Sequence, residues 1–292
     1  MVAADFMEDQ RVQQWLDGVE PAWTLLTFDS LLALRQEPSA AQTAIQIAND
    51  LGADEIAGSA VVRNTLILLR HIIEHGGLPL TATGNLTRAV VAEMCKVIEW
   101  PHYDQAEAFR FNKVINEPDF MPLHIVRMLA EAAKLVHPRK GKLIATPLGK
   151  SMLDEDRQSA LSAILLHLTF WHMDLEYFGR GLLGSSWPQA DVGIVLWSLS
   201  VCATDWQTSE KLTRLCTIPE PSILSATSWD RTPYAMEARI LRPLLWFGLL
   251  EYRSEGDLDT AFAARHFYRK SPLFDRLLAF NVEMDFSVGS RH

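Results

Sequence analysis

Two stretches of this 292-residue chain hold residues whose types and spacing suit chemistry. The first is His71-Ile72-Ile73-Glu74-His75, with two histidines one helical turn apart and a carboxylate between them. That is the inverted-zincin spacing, in which two imidazoles on one helix face share a zinc ion. Gly76 and Gly77 follow at once, so the pair reads as the last, fraying turn of a helix. The helix macrodipole alone favours histidine there. His71 and His75 are therefore read first as helix-end residues, with a metal site as the weaker alternative. The second stretch, Lys134 to Lys150, carries Lys134, Arg139, Lys140, Lys142 and Lys150 and no acid. A local block of positive charge suits a polyanion, although charge blocks also serve solubility.

Other catalytic signatures are missing. The chain has no Gly-x-Ser-x-Gly elbow, phosphate-binding loop, dinucleotide fingerprint or EF-hand loop. Asp154 and Asp156 lie at a helix start, where the dipole accounts for them. Cys95 falls in the apolar run Val90–Ile98 and reads as buried and inert. No catalytic residue and no cofactor are implied.

The elements that must position these residues follow a repeated grammar. Three segments begin with an apolar pair and an arginine: Leu68-Leu69-Arg70, Ile125-Val126-Arg127 and Ile240-Leu241-Arg242. Each closes on a hydroxyl residue and an apolar run, at Thr81, Thr146-Pro147 and Ser271-Pro272. A hydroxyl N-cap followed by proline is a helix start. The distance from arginine to hydroxyl is 11, 19 and 29 residues, and the increments are even. An even extension of a β-hairpin keeps flanking side chains on their original faces. The prediction is helix, hairpin of variable reach, helix: a mainly α fold of repeated winged-helix-like units. Pro138 to Lys142 forms the tight wing, and Ser254 to Ala261 a longer one. In the helix before the tight wing, Met121, Ile125, Met128, Leu129, Ala132 and Val136 share one face. His124, Arg127, Glu131 and Lys134 line the other. Pro243 is expected to kink the corresponding C-terminal helix, and Trp206, Trp246 and Phe274 read as core. Helices are also expected at Val12–Val19, Asp29–Arg35, Ala41–Leu51 and Leu161–Phe170.

Composition bounds the class. Hydrophobic residues make up 48% and charged residues 22%, values of a folded globular chain and not of a disordered one. Three isolated cysteines cannot form a disulfide framework, which makes a reducing cytoplasm the expectation. No apolar stretch approaches a membrane span, and the acidic first residues lack a basic secretion region. The net charge is −9, and residues 1–56 account for most of it, with ten acids against two arginines. The expected organisation is an acidic helical segment over 1–56, a helical region with two winged-helix-like repeats over 57–154, and apolar helices with a C-terminal winged-helix-like domain over 155–292.

Three motif sets carry a family resemblance. They are Gly76-Gly77-Leu78-Pro79-Leu80-Thr81; Lys140-Gly141-Lys142-Leu143 with Thr146-Pro147-Leu148-Gly149; and Leu241-Arg242-Pro243-Leu244 with Phe247-Gly248-Leu249-Leu250-Glu251. Together they resemble a family of uncharacterised bacterial proteins, some of which join such segments to plasmid ORF-type or SEC-C-type domains. The resemblance covers most of the chain after about residue 60 and implies no particular reaction or ligand. No metal-binding tail of the SEC-C type is present.

Two functional readings follow for a non-enzymatic binding protein. In the first, Arg127, Lys134, Arg139, Lys140 and Lys142 contact double-stranded DNA, with the helix in a groove and the wing on phosphates. In the second, the units pack against a protein partner without touching nucleic acid, and the acidic N-terminal segment engages a basic surface. Fold does not decide between them.

Overall fold

The computed structural model describes residues 6–38, 43–103, 115–179, 181, 183–225, 230–256 and 264–285. The chain divides into two compact units: Met1–Ile47, Phe170–Leu245 and Leu249–His292 form one, and Ala48–Thr169 with Trp246–Gly248 form the other. This division differs from one placed at residues 56 and 154. The acidic N-terminal helices cluster with the C-terminal residues, and the chain passes between units near Thr169.

The first unit opens with α1 (Gln10–Leu16), capped by Asp9, and α2 (Phe28–Leu34), capped by Thr27. Next comes β1 (Ile45–Ile47). The expected helix over Ala41–Leu51 is corrected here. Residues 41 and 42 lie outside the described residues, and Ile45–Ile47 pair antiparallel with Leu278–Phe280. Alternating β-branched isoleucines suit a strand, and a partner more than 200 residues away overrides local helix propensity.

The second unit contains α3 (Ala53–Ile56), α4 (Ala60–Glu74), β2 (Leu78–Pro79), α5 (Arg88–Met94), α6 (Met121–Ala132), β3 (Val136–Arg139), β4 (Lys142–Ala145), α7 (Pro147–Ser151) and α8 (Gln158–His167). Its sheet has the order β2-β4-β3, all antiparallel. Ser59 caps α4, whose Val61, Leu68, Leu69 and Ile72 are buried.

The first unit resumes with α9 (Glu176–Gly179), α10 (Val192–Cys202), β5 (Gln207–Thr208), α11 (Ser209–Cys216), α12 (Pro221–Leu224), α13 (Thr232–Met236), α14 (Arg242–Trp246), β6 (Leu250–Glu255), β7 (Arg265–Lys270), α15 (Pro272–Leu277) and β8 (Leu278–Phe280). Its three-stranded sheet has the order β5-β7-β6. A π-helical turn, Glu237–Leu241, immediately precedes α14. Pro243 accounts for it, because it has no N–H to donate to the carbonyl four residues back.

The same order therefore occurs twice: helix, short strand, helices, hairpin, with the short strand paired to the second arm of the hairpin. The first of the three expected copies does not show this order. The segment Leu68–Leu86 supplies α4 and β2, Leu78 pairs with Leu143, and its own local pairing is reduced to a single antiparallel bridge between Leu80 and Leu86. Thr81 starts a turn and not a helix. Its hydroxyl accepts from the Asn85 amide at 3.2 Å, Gly84 takes φ 84°, and the next helix is preceded by Thr87. The longer C-terminal hairpin matches the expected greater reach, although residues 257–261 of that wing lie outside the described residues.

Close backbone approach sets two glycines. A Cβ at Gly149 would stand 2.1 Å from the carbonyl oxygen of Leu135, and one at Gly193 would stand 2.0 Å from that of Leu34. Neither backbone oxygen can swing aside as a side chain does. Gly149→Ala is expected to destabilise the 48–169 unit by about 1–3 kcal/mol, read from chemical denaturation. An unchanged midpoint would show that α7 is free to shift.

Trp246 and Phe274 are buried as expected. Trp206 is only partly buried, so its reading as core is corrected: the guanidinium groups of Arg253 and Arg269 each stand 4.8 Å from its ring. Cys95 is buried, and burial pushes its thiol up from its ordinary value. No helix of the described residues is long and apolar enough to cross a membrane.

Candidate nucleic-acid interface

The basic stretch forms a two-residue hairpin. Arg139 pairs with Lys142, and Lys140 and Gly141 between them have φ of 49° and 74°. Two consecutive positive φ values belong to the turn whose twist matches a hairpin, and glycine at the second position makes it inexpensive. Val136, Leu143 and Ala145 are buried beneath the hairpin, which fixes its register and turns the cations outward. β3 is an edge strand, and Pro138 on it leaves no amide for a further strand to bond.

The join between α6 and the hairpin is also specified locally. Lys134 has φ 56°, its amide donates to the Glu131 carbonyl at 2.9 Å, and the Leu135 amide donates to Ala130 at 2.9 Å. These bonds close the helix end with a left-handed residue. Thr146 then caps α7, accepting from the Gly149 amide and donating to the Lys134 carbonyl, both at 2.9 Å. As a result Lys134, Arg139, Lys140 and Lys142 are all exposed. Among the described residues no carboxylate pairs with any of the four.

Arg127 behaves differently and leaves the expected set of surface contacts. It is 8% exposed. Its Nη1 donates to Glu117 at 2.5 Å, its Nη2 donates to the Gly84 carbonyl at 2.7 Å, and Nε and Nη2 donate to Glu131 at 3.1 and 3.0 Å. Glu117, only 1% exposed, also accepts from the Leu86 amide at 2.5 Å and stands 3.6 Å from His124 Nδ1. Burial alone would raise the Glu117 carboxyl. The His124 ring, the Leu86 amide and Arg127 outweigh it and hold the carboxyl below its ordinary value. The polar side of α6 is thus an internal ion network, and Ala132 is the one exposed residue of that helix. Asp119, two residues before α6, sits in a short 3-10 turn and accepts from the Asn116 amide at 3.0 Å. Sequence reasoning did not single out Glu117, and its position ten residues before Arg127 gives no helical spacing to reveal the pair.

Close by, a cleft of about 720 Å³ is lined by Thr83, Asn85, Leu86, Arg88, Asn116 and Pro118 among others. Within it Arg88 donates to Asn116 at 3.0 Å and Asn116 to Asp119 at 2.9 Å. His71 and His75 are brought together, with ring centroids 4.2 Å apart.

In the C-terminal hairpin three of the four Arg and Lys side chains on the strands are paired among the described residues. Arg269 pairs with Glu251 at 2.6 Å, Arg253 with Glu255 at 3.3 Å, and Lys270 with Asp275 at 2.7 Å. Beneath it, His266 Nδ1 lies 2.8 Å from the buried Glu237. The hydrogen bond to Glu237 raises His266 above its ordinary value of 6.5. Burial raises Glu237, but His266, Arg242 and Tyr268 together hold it below 4.5. A raised histidine contributes stability that is full below its ordinary value and is lost as pH rises through its folded value. A lowered carboxylate contributes above its ordinary value and loses that contribution as pH falls through its folded value. The thermal midpoint is therefore expected to peak between about pH 5 and 6.5 and to fall by about 2–4 °C on the alkaline side. His266→Gln should flatten that alkaline limb. A limb of equal slope in the variant would contradict the assignment.

Comparison with known proteins reaches part of this chain. Residues 57–159 match a family model described as the Y4jL N-terminal domain. The whole α4-to-β4 assembly lies inside that span. This segment is Y4jL-like. The uncharacterised protein y4jL of Sinorhizobium fredii is 30% identical over 100 residues, covering 34% of this chain and 46% of the relative. The match thus spans about half the length of that relative. No solved structure matches. The similarity over residues 57–159 is to an uncharacterised bacterial protein, and the comparisons do not extend to plasmid ORF-type or SEC-C-type domains.

Proposed function

We propose that the chain is a non-enzymatic, winged-helix-type binding protein whose Y4jL-like segment contacts the phosphate backbone of double-stranded DNA through the Arg139–Lys142 wing. One observation carries this reading: Arg139, Lys140 and Lys142 of that hairpin and Lys134 just before it have no carboxylate partner among the described residues, whereas Arg253, Arg269 and Lys270 of the second hairpin each have one. The repeated strand order supports the winged-helix comparison, because the short first strand joins the hairpin's second arm in both units. Contact is limited to phosphates. With Arg127 of α6 buried against Glu117, the helix that leads into the wing has lost its cation for reading base edges, so binding should be insensitive to sequence. A mobility-shift titration with two unrelated duplexes tests this. Equal retardation by the unsubstituted chain, lost in the Arg139→Glu, Lys140→Glu, Lys142→Glu variant, is the expected result. Retardation that survives the triple reversal overturns it.

The burial of α6 also favours a second reading, in which the unit is a packing module for a protein partner. A stoichiometric partner that copurifies after nuclease treatment and is lost on the same triple reversal would support that reading over the first.

A further inference from the structure

The end of α4 has a second arrangement that the wing does not use. His71, Glu74 and His75 each offer one ligand atom, and these atoms all lie within 4.8 Å of one another. Two ligands at 2.0–2.2 Å from one tetrahedral ion stand about 3.4 Å apart, so small side-chain rotations close this set around an ion. Each imidazole also has one nitrogen already committed. His75 Nδ1 lies 2.9 Å from the His71 carbonyl, which only accepts, so that nitrogen carries the proton and Nε2 keeps its lone pair. His71 Nε2 lies 3.2 Å from Glu93 Oε2 of α5, which leaves Nδ1 of that ring as the lone-pair nitrogen. A ligating histidine characteristically donates its other N–H to a carbonyl or carboxylate, and both kinds of acceptor are present here.

The helix end is also held. Gly76 and Gly77 have φ of 59° and 104°, and their amides close back onto Ile73 at 3.2 Å and Ile72 at 2.8 Å. Gly77 is seated against β4, where a Cβ would meet Ile144 at 2.4 Å. The two glycines thus pin the turn that carries the ligands. Glu74 and His75 are exposed and His71 is partly so, which gives an ion a path in and leaves its remaining position to water.

We propose that His71, Glu74 and His75 form a binding site for a first-row divalent transition metal, with Zn2+ as the reference ion and Glu93 orienting the His71 ring. Glu93 is a positioning residue, and no hydrolytic role is assigned to the site. The test is calorimetric titration of the full chain with Zn2+, together with the His71→Ala/His75→Ala double variant, Glu74→Gln and Glu93→Gln, each checked for an unchanged circular dichroism spectrum. One Zn2+ per chain is expected, with loss of that binding in the double variant and about tenfold weaker binding in Glu93→Gln. A nitrogen-15 NMR spectrum of the histidine rings gives a second readout: Zn2+ should shift His71 Nδ1 and His75 Nε2 and spare the other nitrogens. Zn2+ binding unchanged in the double variant, or no binding at micromolar concentration, overturns the proposal.

Discussion

Arg127→Ala is expected to cost the 48–169 unit about 3–5 kcal/mol, because it leaves the Glu117 carboxylate buried without its cation. The loss exceeds that of a surface ion pair for a definite reason. One guanidinium holds three acceptors on different parts of the chain: Glu117 before α6, Glu131 on it and the Gly84 carbonyl in the turn after β2. Lysine keeps the charge but not the planar fork, so Arg127→Lys should fall between the two. The penalty should also depend on pH. Glu117 is held below its ordinary value of 4.5, so the network contributes fully above that value and loses its contribution as pH falls through the folded value. The alanine variant therefore differs most from the unsubstituted chain near neutrality and converges on it in acid. Chemical denaturation at two pH values measures both effects. A loss below about 1 kcal/mol at pH 7 would place Glu117 in contact with water.

The same network shows where sequence reading stops. Arg127 lies on the polar side of an amphipathic helix, with Glu131 one turn on, and that pattern describes a solvated face. What buries it is Glu117, which precedes the helix and has no periodic relation to it. Local signals fared better. Lys140-Gly141 between alternating apolar residues is a hairpin turn, Thr146-Pro147 is a helix start, and Pro243 marks a disturbed helix, all because short-range sterics and capping dominate there. Long-range pairing was not legible. β1 looks helical until Leu278–Phe280 lies beside it, and β2 looks like one arm of its own hairpin until β4 claims it. The apparent third repeat arose from an apolar pair and an arginine that recur in sequence but end in different tertiary partners. For the site, the exposed cations follow from the acid-free stretch Lys134 to Lys150. Glu93, facing His71 from another helix, does not.

Reversal of three wing charges carries the other large expected effect. Arg139, Lys140 and Lys142 project from a hairpin whose register is fixed by buried Val136, Leu143 and Ala145. The substitutions should therefore leave folding intact while changing the sign of the surface. Each cation that neutralises a phosphate releases a counterion, at about 0.9 in the logarithmic salt slope, so three contacts give a slope of about −3. Between 50 and 200 mM salt, the affinity of the unsubstituted chain should then fall by about 40- to 60-fold. The reversed chain should bind at least tenfold more weakly at the lower salt. The direct measurement is the salt dependence of affinity for a short duplex, by fluorescence anisotropy, for both chains. A slope near −3 that disappears on reversal is the predicted result. A slope that is the same in both chains, or no binding at 50 mM salt, would contradict the assignment of the wing to nucleic-acid phosphate.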